Sequence, residues 1–286
     1  MALHLTQHRG GFETGLTEIT QADEEVDSTG IGLAVLKLVA GQEFKETAAA
    51  ETAWLLMDGP VTAEVGGRSE DLERTSLFDE SATCLHVPAG AEVCFSAHGP
   101  VEFTRYSVAN EASFASRFFF PDDVPNEHRG RGQVGGTCLR FVRTIFDGRN
   151  RPDARLVLGE VVNFPGRWSS YPPHHHAQPE LYHYRFTEPQ GYGHGELGDE
   201  VYKVRQYDTL KILDERDHAA AAAPQRCINI ASVAALRTRP VAPATRVPPL
   251  GGLVPGCRLA PLRTGFAAAT ISRRPPLLPG ALPRCA

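Results

Sequence analysis

The sequence predicts an all-β protein built from two blocks of similar architecture in tandem. Three observations carry this. Short apolar or alternating segments recur at roughly ten-residue spacing with turn residues between them, the punctuation of an antiparallel sandwich or barrel. No segment keeps a helical period for more than three turns. Residues 121–136 (Pro-Asp-Asp-Val-Pro-Asn-Glu-His-Arg-Gly-Arg-Gly-Gln-Val-Gly-Gly) read as a linker between the blocks.

The first block, residues 1–120, begins with a buried strand, Ile31–Ala40, bounded by Gly30 and Gly41. Thr52–Met57 follows and ends at Asp58-Gly59, a hairpin signal. Val61–Val65 alternates and stops at Gly66-Gly67. Ser76–Phe78, Thr83–Val87, Glu92–Phe95 and Val101–Val108 complete the set, with a turn at Pro88-Ala-Gly90. A short helical turn is expected around Glu111–Arg117. The second block, from Thr137, offers Leu139–Phe146, Ala154–Val162, Leu181–Phe186, Val201–Val204 and Thr209–Leu213 as strands.

With 286 residues, 42% of them apolar, the chain buries one large core or two modest ones. No stretch approaches the ~20 apolar residues of a membrane span, and the N-terminus lacks a signal pattern, so a cytoplasmic protein without a membrane partner is expected. The six cysteines form no CxxC pair, which points to a reducing compartment rather than disulfides. Charge is unevenly placed: residues 1–218 hold all 34 acidic residues against 20 Lys and Arg, whereas 219–286 hold nine Arg and no other charged residue. Those arginines are scattered singly among Pro, Ala and Leu with no aromatic interleaving beyond Phe266, so no nucleic-acid partner is expected. Arg129-Gly-Arg131-Gly lacks the preceding strand and following Lys-Ser/Thr of a phosphate loop.

Six of the eleven histidines fall between residues 174 and 218. In the run Tyr171-Pro-Pro-His-His-His-Ala-Gln-Pro-Glu180, alternation places His174 and His176 on one face of an extended segment and His175 on the other. Glu180 opens the next strand and can set a carboxylate beside both imidazoles. His-x-His-x3-Glu is the first half of a cupin metal site, and such ligands suit a borderline divalent cation. A further ligand should come from a later strand, where His194 and His218 are the candidates. His218 follows the strand ending at Leu213; His194, in the glycine-rich Gln190–Gly195, more easily reaches a substrate.

Residues 154–192 carry a family resemblance. Gly159-Glu-Val-Val-Asn-Phe-Pro-Gly-Arg-Trp-Ser-Ser-Tyr-Pro-Pro-His-His-His, then Glu180-Leu-Tyr-His-Tyr-Arg-Phe and Pro189-Gln-Gly-Tyr, resemble the 5-deoxyglucuronate isomerases of myo-inositol catabolism, grouped with the 4-deoxy-L-threo-5-hexosulose-uronate ketol-isomerases. The resemblance covers about residues 10–224, weakly over the first half. It implies a bicupin of two jelly-roll β-barrels, residues 1–120 without a metal site and 137–224 with one. Val87-Pro-Ala-Gly90 does look like a cupin turn, and no His-x-His accompanies it. The implied metal ligands are His174, His176, Glu180 and His218. The Pro-x-Gly turn before the last of these is replaced by Asp214-Glu-Arg-Asp217, and the Tyr-rich closing strands are missing, which leaves the second barrel incomplete.

The reaction implied is isomerisation of 5-deoxy-D-glucuronate to 5-dehydro-2-deoxy-D-gluconate, with one divalent ion (zinc or manganese) and no organic cofactor. Proton transfer between adjacent carbons needs a Lewis acid and a base. Tyr182, Tyr184 and Phe186 share the parity of Glu180. Tyr184, Gln190 and His194 are the candidate substrate contacts; the residues leave the base and the carboxylate anchor unassigned. A cupin dioxygenase and a non-catalytic metal- or sugar-binding cupin are the alternatives. Self-association into a homo-oligomer stays open. Residues 225–286 contain nine Arg, ten Pro and no acid, the composition of GC-rich coding read out of frame, and an irregular tail replacing the closing strands is expected.

Overall fold

The computed structural model describes residues 3–213, 217–224 and 227–235. Strands dominate them, with single 3-10 turns at Pro121–Asp123 and Val134–Gly136. The first strand, β1 (His4–Leu5), is followed by β2 (Gly15–Thr20), β3 (Gly32–Leu38), β4 (Glu43–Thr47) and the fifteen-residue β5 (Glu51–Val65). Next come β6 (Arg68–Arg74), β7 (Cys84–Val87), β8 (Glu92–Ala97), β9 (Val101–Val108) and β10 (Arg117–Phe119). The order β10-β7-β5-β9-β3-β2 forms one face of the first half, while β6 and β8 pair with the far part of β5 and β4 pairs with β8.

Asp58-Gly59 is not the expected hairpin. It lies at a register shift inside β5, which crosses from β7 and β9 on one side to β6 and β8 on the other. Gly59 sits at φ 95°, and a Cβ there would run into the Pro100 carbonyl, so only glycine fits the bend. The hairpin forms instead at Gly66-Gly67, where the alternating segment was expected to stop, and leads into β6. Ser76–Phe78 is a turn rather than a strand, because Ser76 Oγ accepts the backbone N–H groups of Phe78 and Asp79. No helix forms over 111–117: Asn110 Oδ1 takes the Ala112 N–H, and Arg117 already belongs to β10.

The second half contains β11 (Glu127–Arg129), β12 (Arg140–Phe146), β13 (Leu156–Asn163), β14 (Trp168–His174) and β15 (Glu180–Phe186). It continues through β16 (Tyr192–Leu197), β17 (Glu200–Arg205), β18 (Thr209–Ile212), β19 (His218–Ala222) and β20 (Ile228–Ala235). One sheet runs β1-β18-β15-β20-β13-β12-β11, the other β14-β19-β16-β17. In neither half does the ladder of described strands close on itself, so the barrels are open sandwiches of the cupin type.

Three boundaries move. β1 belongs to the second half, where Arg9 binds Asp208 through both carboxylate oxygens at 2.7 and 2.6 Å and His4 Nε2 lies 2.7 Å from Asp208 Oδ2. The segment read as a linker contributes β11, which pairs with β12. β20 lies beyond residue 224 and pairs along its length with β13 and β15, so the sheet continues regularly to Ala235, past the change expected at 225. The expectation of an irregular tail falls otherwise outside the described residues. Cys84, Cys94 and Cys138 are free thiols, whereas Cys227 is disulfide-bonded, contrary to the expectation of none.

The halves share a core. Ile31, Leu33, Val35, Leu55 and Met57 pack in one buried cluster with Ile145, Leu156, Leu158, Leu181 and Val233. A buried ion network spans it: Arg74 reaches both oxygens of Glu160 at 2.9 and 2.7 Å, and Arg143 reaches Oε2 at 3.2 Å. Burial alone would raise the Glu160 pKa, but the two guanidiniums hold it below the usual carboxylate value.

Candidate metal centre

Three strand ends meet inside the second half. His174 ends β14, Glu180 opens β15 and His218 opens β19, with His174 directly opposite His218 in the ladder. β14 gains a register shift between Ser169 and His174, and the chain then carries His176 to the same place. One nitrogen from each of His174, His176 and His218 falls within 4.8 Å of the others. Glu180 Oε2 lies 3.2 Å from His176 Nε2 and 3.4 Å from His218 Nε2. His175 turns the opposite way, as alternation predicts, to meet Asp217 at 2.7 Å.

The surroundings fix this arrangement. His176 Nδ1 lies 2.8 Å from the Gln178 carbonyl, which takes its proton, so a neutral His176 turns the lone pair of Nε2 toward an anionic oxygen. A cation between them resolves that clash, and the Nδ1–H donated to a backbone carbonyl is the outer partner metal-bound histidines commonly have. Ser232 on β20 donates to the other oxygen, Glu180 Oε1. Burial alone would raise the Glu180 pKa, but contacts from His176, His218 and Ser232 bring it down to about 2. The pKa of His176 is raised in turn, chiefly by Glu180, whereas burial and the neighbouring His218 lower that of His174. Four donors, three imidazoles and a carboxylate, fit a borderline divalent ion.

Tyr182 stands beside the cluster, its ring 5.9 Å from His218. Burial, reinforced by the Glu180 charge, pushes its pKa well above the ordinary value. Tyr184 faces the same interior but is fully buried, packed under β16 where a Cβ on Gly195 would lie 3.0 Å from its hydroxyl. Gln190 and His194 are not brought to the cluster. Gln190 sits in an exposed turn; His194 lies in β16 rather than a loop, on the exposed face, alternating with buried Gly193 and Gly195. Sequence reasoning missed Ser232, whose signal is only its parity in Ile228–Ala235. It also missed a cavity of about 120 Å³ beside Glu180 and Ser232, lined further by Val142, Thr144, Val157, Gly159, Val161 and Ala234.

An all-β fold of two cupin-like halves, with a histidine cluster of metal-binding type in the second, defines a member of the cupin class. Within that class the chain belongs to the KduI/IolB family, whose model matches residues 4–225. It is 28% identical over 214 residues to the 5-deoxy-glucuronate isomerase of Geobacillus kaustophilus, covering 70% of this chain and 73% of that one. An IolB-like protein from Salmonella typhimurium superposes with a TM-score of 0.67 at 21% identity, covering 80% and 92% of the two chains. A cupin 2 conserved barrel domain protein from Leptotrichia buccalis superposes at 0.51 and 10% identity, covering 81% and 95%.

Proposed function

We propose that the chain is a metal-dependent aldose–ketose isomerase that converts 5-deoxy-D-glucuronate to 5-dehydro-2-deoxy-D-gluconate in inositol catabolism. The observation that carries the reading is the convergence of three imidazole nitrogens, within 4.8 Å of one another, on the buried carboxylate of Glu180. Family membership and the names of the relatives support the substrate class. His174, His176, Glu180 and His218 would hold one divalent ion, zinc or manganese. When bound, such an ion supplies Lewis acidity toward a carbonyl and its neighbouring hydroxyl.

The protein does the rest by placement. Ser232 and the histidines keep Glu180 ionised and fixed, so the acid serves as a ligand and not as a mobile base. Tyr182 keeps its phenolic proton and presents it beside Glu180, positioned to hold a substrate oxygen. Tyr184 forms the floor behind it. Proton movement between adjacent carbons uses no nicotinamide or other organic cofactor. A cytoplasmic location goes with this reading, and among the described residues no helix is long and apolar enough to cross a membrane.

The test is incubation of Mn2+- or Zn2+-loaded protein with 5-deoxyglucuronate, followed by NMR. Appearance of the 2-deoxy-5-keto acid, abolished by chelation and restored by metal, is expected. Retained metal without conversion overturns the isomerase and leaves a metal-binding cupin without that catalysis.

A further inference from the structure

The inner face of β12 and β13 runs from the cavity beside Glu180 toward two polar side chains that the reaction, as described so far, leaves unused. Arg140, the first residue of β12, has the strand parity of Val142 and Thr144, which line the cavity. Asn163, the last residue of β13, is its cross-strand partner and has the parity of Val157, Gly159 and Val161. Arg140 is half-buried. Its guanidinium donates to the Cys138 carbonyl at 3.0 Å, and the charged or titratable groups acting on it are Cys138, Arg129 and Tyr182, with no carboxylate among the described residues. Other interior guanidiniums differ: Arg74 and Arg143 share Glu160, and Arg185 holds Glu102. Asn163 is fully buried, and neither its Nδ2 nor its Oδ1 has a hydrogen-bond partner among the described residues, an uncommon state for a buried amide.

We infer that Arg140 and Asn163 form the subsite for the substrate's carboxylate, at the end of the inner face away from the imidazoles. The inference rests on the isomerase reading above. A guanidinium and a carboxamide NH2 supply the N–H donors that a carboxylate accepts, and the charge-assisted bond is the stronger kind. The ladder sets the spacing. Thr144 pairs with Gly159, Gly159 with Ser232 and Ser232 with Tyr182. Arg140 therefore lies four residues, about 13 Å at about 3.3 Å per residue, along the strands from the row of Thr144, Gly159, Ser232 and Tyr182, with β13 and β20 between β12 and β15.

The test compares the full-length wild type with Arg140→Gln and Arg140→Lys, each loaded with Mn2+, on 5-deoxyglucuronate and on uncharged 5-deoxyglucose. Kd is measured by calorimetry, and KM and kcat by NMR. Arg140→Gln is expected to raise Kd and KM for the uronate about 10- to 100-fold, with a smaller change in kcat. Arg140→Lys is expected to recover part of the loss, and the neutral sugar should bind all three proteins alike. Equal losses on both sugars, or unchanged uronate affinity in Arg140→Gln, overturn the subsite. So does a wild type that does not prefer the uronate. Calorimetry requires no turnover, so uronate binding that depends on Arg140 but leads to no conversion upholds the subsite and overturns the isomerase reading alone.

Discussion

The two halves share an architecture and fill it differently. In the first, Trp54 packs edge-on against Phe44, Phe95 and Phe103 at 5.6, 5.0 and 6.1 Å between ring centres, within a cluster of Leu36, Leu56, Val61, Leu85 and other apolar side chains. In the second, Ala220 and Ala222 of β19 pack with Tyr184, Val204, Leu210 and Ile228, which fill the room beside the β16 glycines, and His218 opens β19 two residues before Ala220. Large aromatics make the first interior a packed core. The second also carries aromatics, Tyr182, Tyr184 and Phe186, and its imidazoles and carboxylate come from strand ends beside them. What sets the second half apart is the cluster at its strand ends, His174, Glu180 and His218, which the aromatic core of the first half does not contain.

The sharpest way to break this comparison is to remove the ligands from the second half. A His174→Ala/His176→Ala protein is expected to lose its divalent metal entirely, from one ion per chain to none by elemental analysis, while its circular dichroism stays that of the wild type. Equal metal in the two proteins would move the site elsewhere. The converse variant acts on the first half. Trp54 is fully buried, and Trp54→Ala is expected to cost about 3–5 kcal/mol, in the range found for large aromatics in cores, as measured by urea unfolding. Its folded fraction should still bind one metal. Loss of metal from the folded variant would mean that the aromatic core of one half supports the ligands of the other.

Much of this was legible in the sequence, unevenly. β3, β7, β9, β12, β13 and β15 were readable because their apolar runs are bounded by glycine or proline. The spacing His174-x-His176-x3-Glu180 placed two imidazoles and the acid correctly, since alternation in an extended chain is a local property. β6 was not readable: Arg68–Arg74 is mostly charged and becomes a strand only because β5 offers it a partner. β16 and β19 were hidden by Gly193, Gly195 and the Ala219–Ala222 run, residues with weak strand preference that are chosen for size. β1, Ser232, Arg140 and Asn163 acquire their roles from partners up to 204 residues away, and no local pattern encodes those. β20 was not counted among the closing strands because the irregular tail was read from 225, whereas Ile228–Ala235 holds no Arg or Pro and pairs along its length with β13 and β15.

The smallest expected effect concerns the clasp that ties the N-terminus to the second half, and it is the one that depends on pH. Asp208 is buried at its side chain, accepts from Arg9 through both oxygens and meets His4. Burial would raise its pKa, but Arg9 and His4 outweigh that and hold it below the ordinary aspartate value. A carboxyl whose pKa is depressed on folding stabilises the protein above its unfolded pKa, about 3.9, and loses that contribution as pH falls through the folded value. Arg9 is more than a third exposed, so solvent screening reduces the pair, and Asp208→Asn is expected to cost only about 1 kcal/mol at pH 7. The difference between wild type and Asp208→Asn should shrink below about pH 4. A gap in unfolding midpoint that stays constant from pH 7 to pH 3 would show that the clasp acts through shape rather than charge. The same comparison sharpens the contrast between the halves: β1 pairs with β18 in the half that carries the candidate metal centre, so hydrogen exchange in Asp208→Asn should quicken at β18 and leave the ladder of β3 and β9 unchanged.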